Sequence, residues 1–586
     1  MGSVLENGSR VAVIGGGPAG SLSAYFLLSF ARRMGLDLWV DIYEPRDFSK
    51  PGPAGCNMCG GIISESLVQA LAVEGIELPP TIVQRGIDSY VLHTSAESVR
   101  IDTPLHEKRI AAVHRGGGPR DAREVKWGGL DGYLLDLARN LGARVVASRV
   151  SDLDWQDGRP WVRSQNMAET YDFVVGATGV NSTGLQLFEK LGLPSKRCKT
   201  TKAYITEIGL GNETITRQFG SSMHMFLLNI PRLDCAAIIP KGSYLTVCLL
   251  GREIDKDLID SFFRSAAVKR CFPADRDVAE GGCHCSPKIN IREATTPFVD
   301  RVVLVGDCGV TRLYKDGIGA AYRTAKAAAR TAIFNGVSAA DFRRHYWAVY
   351  RDIARDNRFG RVMFLVVHAI KAIGPLLRGV MRMSEREQKG PGEARRMSIV
   401  LWDMFTGSAS YREIFRRTLD PRFLSRFLWE TVRRIRAAGP QTGRRWRVGE
   451  GVLGRDYVDG EVICRQGDWG DRMYVVQAGR AVVLREEDGV TETVGELGAG
   501  DVFGEMSILE QQPRSATVRA KGAIRVLTLD KRAFLSHLHE DPSLAYRVLQ
   551  QMSHRIRSLD TELSRLQSRP EGLEHSLTGP SRSPIC

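Results

Sequence analysis

The sequence predicts an α/β fold for the first half of the chain, with a β-sheet inserted into it, a helical cap after it and a separate β-roll near the C-terminal end. Three observations carry this expectation. An apolar run passes straight into a Gly-x-Gly-x-x-Gly turn close to the N-terminus, two later apolar runs also end in glycine, and beyond residue 440 helical periodicity gives way to short strands punctuated by glycine. At 586 residues the chain is too long for one core, because domains run to roughly 100–200 residues. With 43% hydrophobic and 25% charged residues it has the composition of an ordinary folded protein, which excludes fibrous and disordered classes.

The opening element is Val11-Ala12-Val13-Ile14, suited to a buried parallel strand, followed by Gly15-Gly16-Gly17-Pro18-Ala19-Gly20 and a helical stretch over 21–33. Gly15 allows a tight turn, Gly17 lets the backbone approach a pyrophosphate, and Gly20 lets helix and strand pack closely, with phosphates at the helix N-terminus. A second strand, 39–43, ends in Glu44, where an acidic side chain would accept the ribose hydroxyls of a dinucleotide, with Arg46 just beyond. The pattern is Rossmann-like and does not by itself separate FAD from NAD.

Two later segments bear on that choice. Residues 171–179 read as a strand running into a glycine turn at Gly179, and 301–307 as another ending in Gly306-Asp307, followed by Lys315-Asp316-Gly317-Ile318-Gly319 and an alanine-rich helix. The arrangement resembles the superfamily of FAD-dependent hydroxylases and geranylgeranyl reductases over roughly residues 10–334. The resemblance implies that Asp307 holds a ribityl chain and that Gly317, Ile318 and Gly319 let a helix N-terminus face a flavin. Cys59-Gly60-Gly61-Ile62 resembles the Cys-Gly-Gly loop of the reductases, which makes Cys59 the candidate catalytic residue. Asp131-Gly132-Tyr133-Leu134-Leu135 fits the helix that precedes 142–145 in such proteins. For the arginine this superfamily aims at FAD, the candidates are Arg115 and Arg120.

Residues 200–250 are expected to form a substrate-bearing sheet, with inserted boundaries of about 183–290 inside an FAD domain of 8–335. The aromatic substrate strand usual in geranylgeranyl reductases is replaced by Cys235-Ala236-Ala237-Ile238-Ile239-Pro240, and the glycine pair that follows is reduced to Gly251. An isoprenoid substrate therefore does not follow from the resemblance. The expected chemistry is hydride transfer from NAD(P)H through FAD to an apolar isoprenoid, lipid or quinone-like acceptor, because the flavin carries the reaction and the protein orients it. A flavin-dependent monooxygenase is the competing enzyme class, since one fold serves both. A redox sensor with a protein-contact output is the non-enzymatic alternative.

The whole formal charge of +14 falls between residues 341 and 447, where 22 Arg and 2 Lys face 10 Asp and Glu. The segment 336–443 is expected to be helical, with a solvated basic face or a peripheral membrane contact that admits a lipid-soluble substrate. Its longest apolar stretch, 362–373, is too short to span a bilayer, which needs about 20 residues. The N-terminus carries no basic-then-apolar leader, so a cytoplasmic location is expected, peripheral on the inner membrane surface if that contact forms. Cys56-x-x-Cys59 and Cys283-x-Cys285 do not match a regular zinc or iron–sulfur spacing, so no metal is expected.

After the basic run at 444–447, glycines at 460, 467, 470, 479 and 489 separate short strands. Met473-Tyr474-Val475-Val476-Gln477-Ala478-Gly479, Phe503-Gly504-Glu505 and Pro513-Arg514-Ser515-Ala516 resemble cyclic nucleotide-binding domains over about 448–557, within a unit bounded at 444–566. The resemblance implies that Glu505 accepts a ribose hydroxyl and that Arg514 pairs with the cyclic phosphate as a charge-assisted fork. Phe503, Gly504, Ser515 and Ala516 complete the candidate site. Ser515, rather than Thr, points to cAMP over cGMP. Met552, Ile556, Leu559, Leu563 and Leu566 suit a lid or the seam of a homodimer, a disordered tail over 567–586 follows, and no nucleic-acid partner is expected.

Overall fold

The computed structural model describes residues 4–433 apart from 57–58, 96, 104–106, 121–127, 166, 194–197, 274–281 and 391–394, residues 452–531 apart from 488, and 534–535 with scattered positions between 549 and 564. The basic run at 444–447, the tail, and Leu559, Leu563 and Leu566 lie outside the described residues.

Strands Val302–Leu304, Phe173–Gly176, Arg10–Ile14, Trp39–Tyr43 and Arg144–Val146 lie side by side in that order and run parallel, edged by the antiparallel Phe298–Val299. Val11, Ala12 and Val13 are wholly buried, as expected for a parallel sheet covered on both faces. Helices Pro18–Arg33 and Gly317–Phe334 cover one face. They pack closely through Ala24, Ala325 and Ala328, and the rings of Phe26 and Tyr322 meet edge-on at 5.6 Å.

The inserted sheet runs Cys283–Cys285, Lys199–Gly209, Tyr244–Gly251, Leu233–Lys241, Ser222–Phe226, Ser89–His93, Ser98–Asp102. It reaches beyond the expected 183–290, because Ser89–His93 pairs in parallel with Ser222–Phe226, Ser89 opposite Ser222. Two stretches far apart in the chain thus build one sheet. A parallel partner must come from a distant crossover, which no local pattern reveals.

The cap begins with a π turn, Phe342–Tyr346, and continues as Trp347–Ala372. Tyr346 donates its hydroxyl proton to Leu304 O at 2.7 Å, which anchors the cap to the end of the central sheet. A break at Ile373 turns the chain by 104° into Gly374–Lys389, and Arg396–Thr406, Tyr411–Thr418 and Pro421–Val432 follow. No single described helix is long and apolar enough to cross a membrane.

The C-terminal unit is an antiparallel roll in which Arg472–Glu487 pairs with Thr517–Asp530 over most of its length. Gly460, Gly467, Gly479 and Gly489 all take positive φ, as turn glycines do. Gly470 has a different role, described below.

Candidate functional site

A cavity of about 690 Å³ begins at the glycine turn and is lined there by Gly15, Gly17, Pro18, Ala19, Glu44 and Arg46. At Gly15, with φ +108°, a Cβ would stand 2.5 Å from Ala177 O. At Gly20 it would stand 1.8 Å from Gly15 O, so Gly20 serves packing and does not line the cavity. Gly17 is the N-cap of the first helix, and no side chain caps it, which leaves the helix end available to an anion. Glu44 is buried and accepts from Gly16 N at 2.9 Å and Arg46 N at 3.0 Å.

The same cavity passes Gly179 and reaches Asp307, Gly317 and Ile318, while Gly319 packs behind Asp316. Burial raises the Asp307 carboxyl above its ordinary value, and Thr311 and Arg115 partly offset this. Tyr314 and Asp316 both adopt left-handed φ, +60° and +55°, a strained conformation for such residues that clusters at functional sites. Asp316 caps the Gly317–Phe334 helix and accepts from Ser64 Oγ at 2.6 Å.

Cys59 and Arg115 meet beside this turn, and both line the cavity. Arg115 donates from Nε to Asp131 Oδ1 at 2.5 Å and from a terminal nitrogen to Oδ2 at 3.0 Å. Burial alone would lower this guanidinium, but Asp131 and Cys59 more than offset it and hold it above its ordinary value. The two arginine candidates are therefore separated: Arg120 is exposed, packs near Gly52 and does not line the cavity. Cys56, Cys59, Cys283 and Cys285 form no disulfide among the described residues.

Sequence reasoning missed several groups around the site. Lys315 donates to Asp403 O at 2.9 Å and to Met404 O, with its ammonium 4.7 Å from the centre of the Tyr411 ring. Burial, aided by Arg312, pushes this ammonium well below its ordinary value. Lys241, also buried, stands 3.5 Å from Glu207 directly behind Gly61. Lys315 was within reach of the sequence, since it adjoins the glycine motif; Lys241 carried no such signal.

Beyond Cys59 the lining turns apolar. The sheet contributes Ile205, Met223, Met225, Ile239 and Cys248, and the cap contributes Met363, Phe364, Val400, Met404, Phe423 and Phe427. A pocket this rich in Met and Phe adapts to an irregular apolar guest.

In the roll, Arg514 is buried and donates to Gly504 O at 2.7 Å and to Arg472 O at 2.5 Å, with its guanidinium 5.6 Å from the centre of the Tyr474 ring. Two glycines make room for it. A Cβ at Gly504 would stand 2.2 Å from Arg514 and one at Gly470 2.4 Å from it. Phe503 stacks on Tyr474 with ring centres 5.0 Å apart, Glu505 is buried, Ser515 is exposed and Ala516 half-buried. The candidate residues of this site therefore share one corner of the roll.

The roll docks on the N-terminal half through charged groups. Arg109 contacts Asp530 at 2.9 Å and Glu65 at 2.8 Å, and Glu107 accepts from Thr528 N at 2.8 Å. Glu65 also accepts from Trp402 Nε1 at 2.7 Å and Ser408 Oγ at 2.6 Å. Its neighbour Ser64 holds Asp316.

Comparison with known proteins agrees with this two-part architecture. Residues 454–541 match the cyclic nucleotide-binding domain family. The chain is 45% identical over 78 residues to a cAMP-dependent protein kinase regulatory subunit of Mucor circinelloides f. lusitanicus, a match over 13% of this chain and 18% of that one. It is 34% identical over 113 residues to the cyclic AMP receptor protein of Thermus thermophilus, 19% of this chain and 52% of that one. The matched stretch spans only about a fifth of the first curated relatives, 18% and 23% of their lengths. A geranylgeranyl bacteriochlorophyll reductase-like protein of Thermoplasma acidophilum superposes with a TM-score of 0.51 at 15% identity, covering 71% of this chain and all of that one. The molecule therefore joins an α/β fold shared with that reductase-like protein to a cyclic nucleotide-binding domain.

Proposed function

We propose that the chain is an FAD-dependent oxidoreductase that uses NAD(P)H to reduce an apolar, isoprenoid-, lipid- or quinone-like substrate under the control of cAMP. The observation that carries this reading is one continuous cavity that starts at the glycine turn, passes Asp307, Gly317 and Cys59, and ends among methionines and phenylalanines.

The residues fit an FAD. Backbone at Gly15 and Gly17, with Pro18 and Ala19 opening the helix, would receive the pyrophosphate, Glu44 and Arg46 the adenosine end, and Asp307, Gly317, Ile318 and Gly319 the ribityl and ring end. The bound cofactor supplies the two-electron hydride chemistry. The chain supplies the rest. Apolar cap and sheet side chains would exclude water from the reacting carbon, and the Cys59 thiol, which lines the same cavity, would deliver the proton that accompanies a hydride. Arg115, held on its far side by Asp131, stands beside that sulfur and would stabilise the thiolate left behind.

The cap supports delivery of the substrate from a membrane surface. Val366 and Leu424 line the cavity yet are 43% and 40% exposed, and Leu365, Leu428 and Trp429 are exposed nearby, with Arg422 and Arg433 among them. A cytoplasmic enzyme docked peripherally on the inner membrane face fits this surface. In the roll, a cyclic phosphate would take over the donors that Arg514 now gives to Gly504 and Arg472, with Glu505 receiving the ribose.

The test is anaerobic reduction of the flavin by NADPH and NADH, with and without cAMP, followed by turnover of candidate lipids and quinones. A rate that responds to cAMP in the wild type but not in Arg514→Lys supports the regulated enzyme. In Cys59→Ser, product formation should fall by roughly 10²–10⁴ while flavin binding persists. Flavin that binds but is never reduced would sink the enzyme reading, and oxygen consumption in step with a hydroxylated product would replace reductase by monooxygenase.

A further inference from the structure

His224 lies between Met223 and Met225 on the Ser222–Phe226 strand, and those two methionines line the cavity. Side chains alternate along a strand, so His224 points to the opposite face of the inserted sheet. There it meets His93, the last residue of the neighbouring Ser89–His93 strand, and Cys271, which follows the short Ala266–Lys269 helix. His93 Nε2 is 3.0 Å from His224 Nδ1, and Cys271 Sγ is 3.6 Å from His224 Nδ1 and 3.9 Å from His93 Nε2. Three potential ligand atoms thus form a compact triangle, distinct from the cavity that serves the proposed redox reaction.

These separations are those of a coordination face. With Zn–N near 2.05 Å and Zn–S near 2.3 Å, a tetrahedral ion sets nitrogen–nitrogen and nitrogen–sulfur edges of about 3.3 and 3.6 Å. The second shell is also present. His93 Nδ1 is 2.8 Å from Ser98 Oγ, the contact that fixes the ring so that Nε2 faces inward, as the outer partners of metal-bound histidines do. Phe226 stacks on His93 with ring centres 4.6 Å apart, and Phe219 lies 4.8 Å from His224, which shields the triangle from water.

We propose that His93, His224 and Cys271 form a zinc site that ties the helical backing of the inserted sheet to its strands. Two imidazoles and a thiolate suit a borderline-soft divalent ion such as zinc. Binding releases the Cys271 thiol proton to solvent and involves no change of oxidation state. The ion would hold Cys271, and with it the helix before it, against two strands whose other face lines the substrate cavity.

The test uses the full-length protein, purified without chelator and analysed for metal content, then stripped and titrated with cobalt(II). The expected result is close to one zinc per chain and, with cobalt, a thiolate-to-metal charge-transfer band with visible bands of tetrahedral intensity. Cys271→Ser should abolish the charge-transfer band, His224→Gln should weaken binding at least tenfold, and Cys283→Ser should leave both unchanged. Far-ultraviolet circular dichroism of each variant separates lost ligation from lost folding, and His93→Gln supplies a second ligand deletion should His224→Gln not fold. Zinc below a tenth of an equivalent with no cobalt band would overturn the proposal and leave the cluster a hydrogen-bonded triad. A band that survives Cys271→Ser would do the same by placing the metal elsewhere.

Discussion

Gly504 shows how much one missing methyl group can decide. It sits at φ +80°, and the space where its Cβ would lie is taken by the Arg514 guanidinium, 2.2 Å away. Gly504→Ala would impose a left-handed alanine and displace the arginine, costing on the order of 1–3 kcal/mol of roll stability. It should weaken cAMP binding by at least tenfold, which isothermal titration would measure; unchanged affinity would mean that Arg514 does not hold the phosphate. Glu107 carries a different consequence. Burial raises its carboxyl from 4.5 to about 7, against the opposing pull of Arg109 and the bond from Thr528, with Glu65 adding to the rise. Because the folded value lies above the free one, its contribution to stability is complete below about 4.5 and is lost as pH rises through about 7. Glu107→Gln mimics the protonated form, so the wild type should lose melting temperature relative to the variant between pH 6 and 8. A constant difference across that range would show that Glu107 is ionised throughout.

At the scale of elements, the cap carries a direct expectation. Leu428 and Trp429 on the Pro421–Val432 helix are 56% and 63% exposed, and an apolar face rimmed by arginines inserts shallowly into an anionic surface. The double variant Leu428→Asp, Trp429→Glu should reduce flotation with anionic liposomes at least tenfold while leaving flavin content unchanged. Equal flotation would assign these residues to another contact. The sequence made the central sheet and the turns legible, because residues 11–14 are continuously apolar and glycine at 15 admits the positive φ, +108°, that the turn takes. It also assigned the two groups of candidate residues to separate stretches of the chain. It could not show which cap residues face the cavity, since Phe364 and Leu365 are both apolar, yet Phe364 lines the cavity and Leu365 is exposed. Nor could it join Ser89–His93 to Ser222–Phe226, and so it missed His93, His224 and Cys271, whose ring and sulfur atoms converge across 131 and 47 residues of chain. Arg115 and Arg120 were equivalent in sequence; the pairing of Arg115 with Asp131 and its place in the cavity wall distinguish them.

For the whole molecule, the proposed function raises how a ligand at Arg514 would act on the Asp316–Gly319 turn, where the flavin is proposed to lie. Tyr474, beneath the guanidinium, lies directly opposite Thr528 in the paired strands. Thr528 donates to Glu107, Arg109 spans Asp530 and Glu65, and Ser64, next to Glu65, holds the Asp316 cap of the Gly317–Phe334 helix. A cyclic phosphate that draws Arg514 away from Arg472 O would shift the strand that carries Tyr474, and the buried Arg109–Glu65 pair would pass that shift to the Gly317–Phe334 helix proposed to face the flavin. Removing Arg109 alone would strand Glu65 as a buried charge, at about 3–5 kcal/mol, so Arg109→Met is best combined with Glu65→Gln. The double variant should bind cAMP within about threefold of wild type, yet its rate of flavin reduction should no longer respond to the nucleotide. Coupling between sites is reciprocal and typically amounts to 1–3 kcal/mol, or about 5–150-fold. In the wild type, cAMP affinity measured with oxidised and with reduced flavin should therefore differ by the factor by which cAMP shifts the flavin's redox equilibrium, and in the double variant the two affinities should coincide. If the variant keeps the full difference, the signal bypasses Arg109 and travels through the apolar contact of Val73 with Met473, Val475 and Leu529, which Val73→Ala would then interrupt.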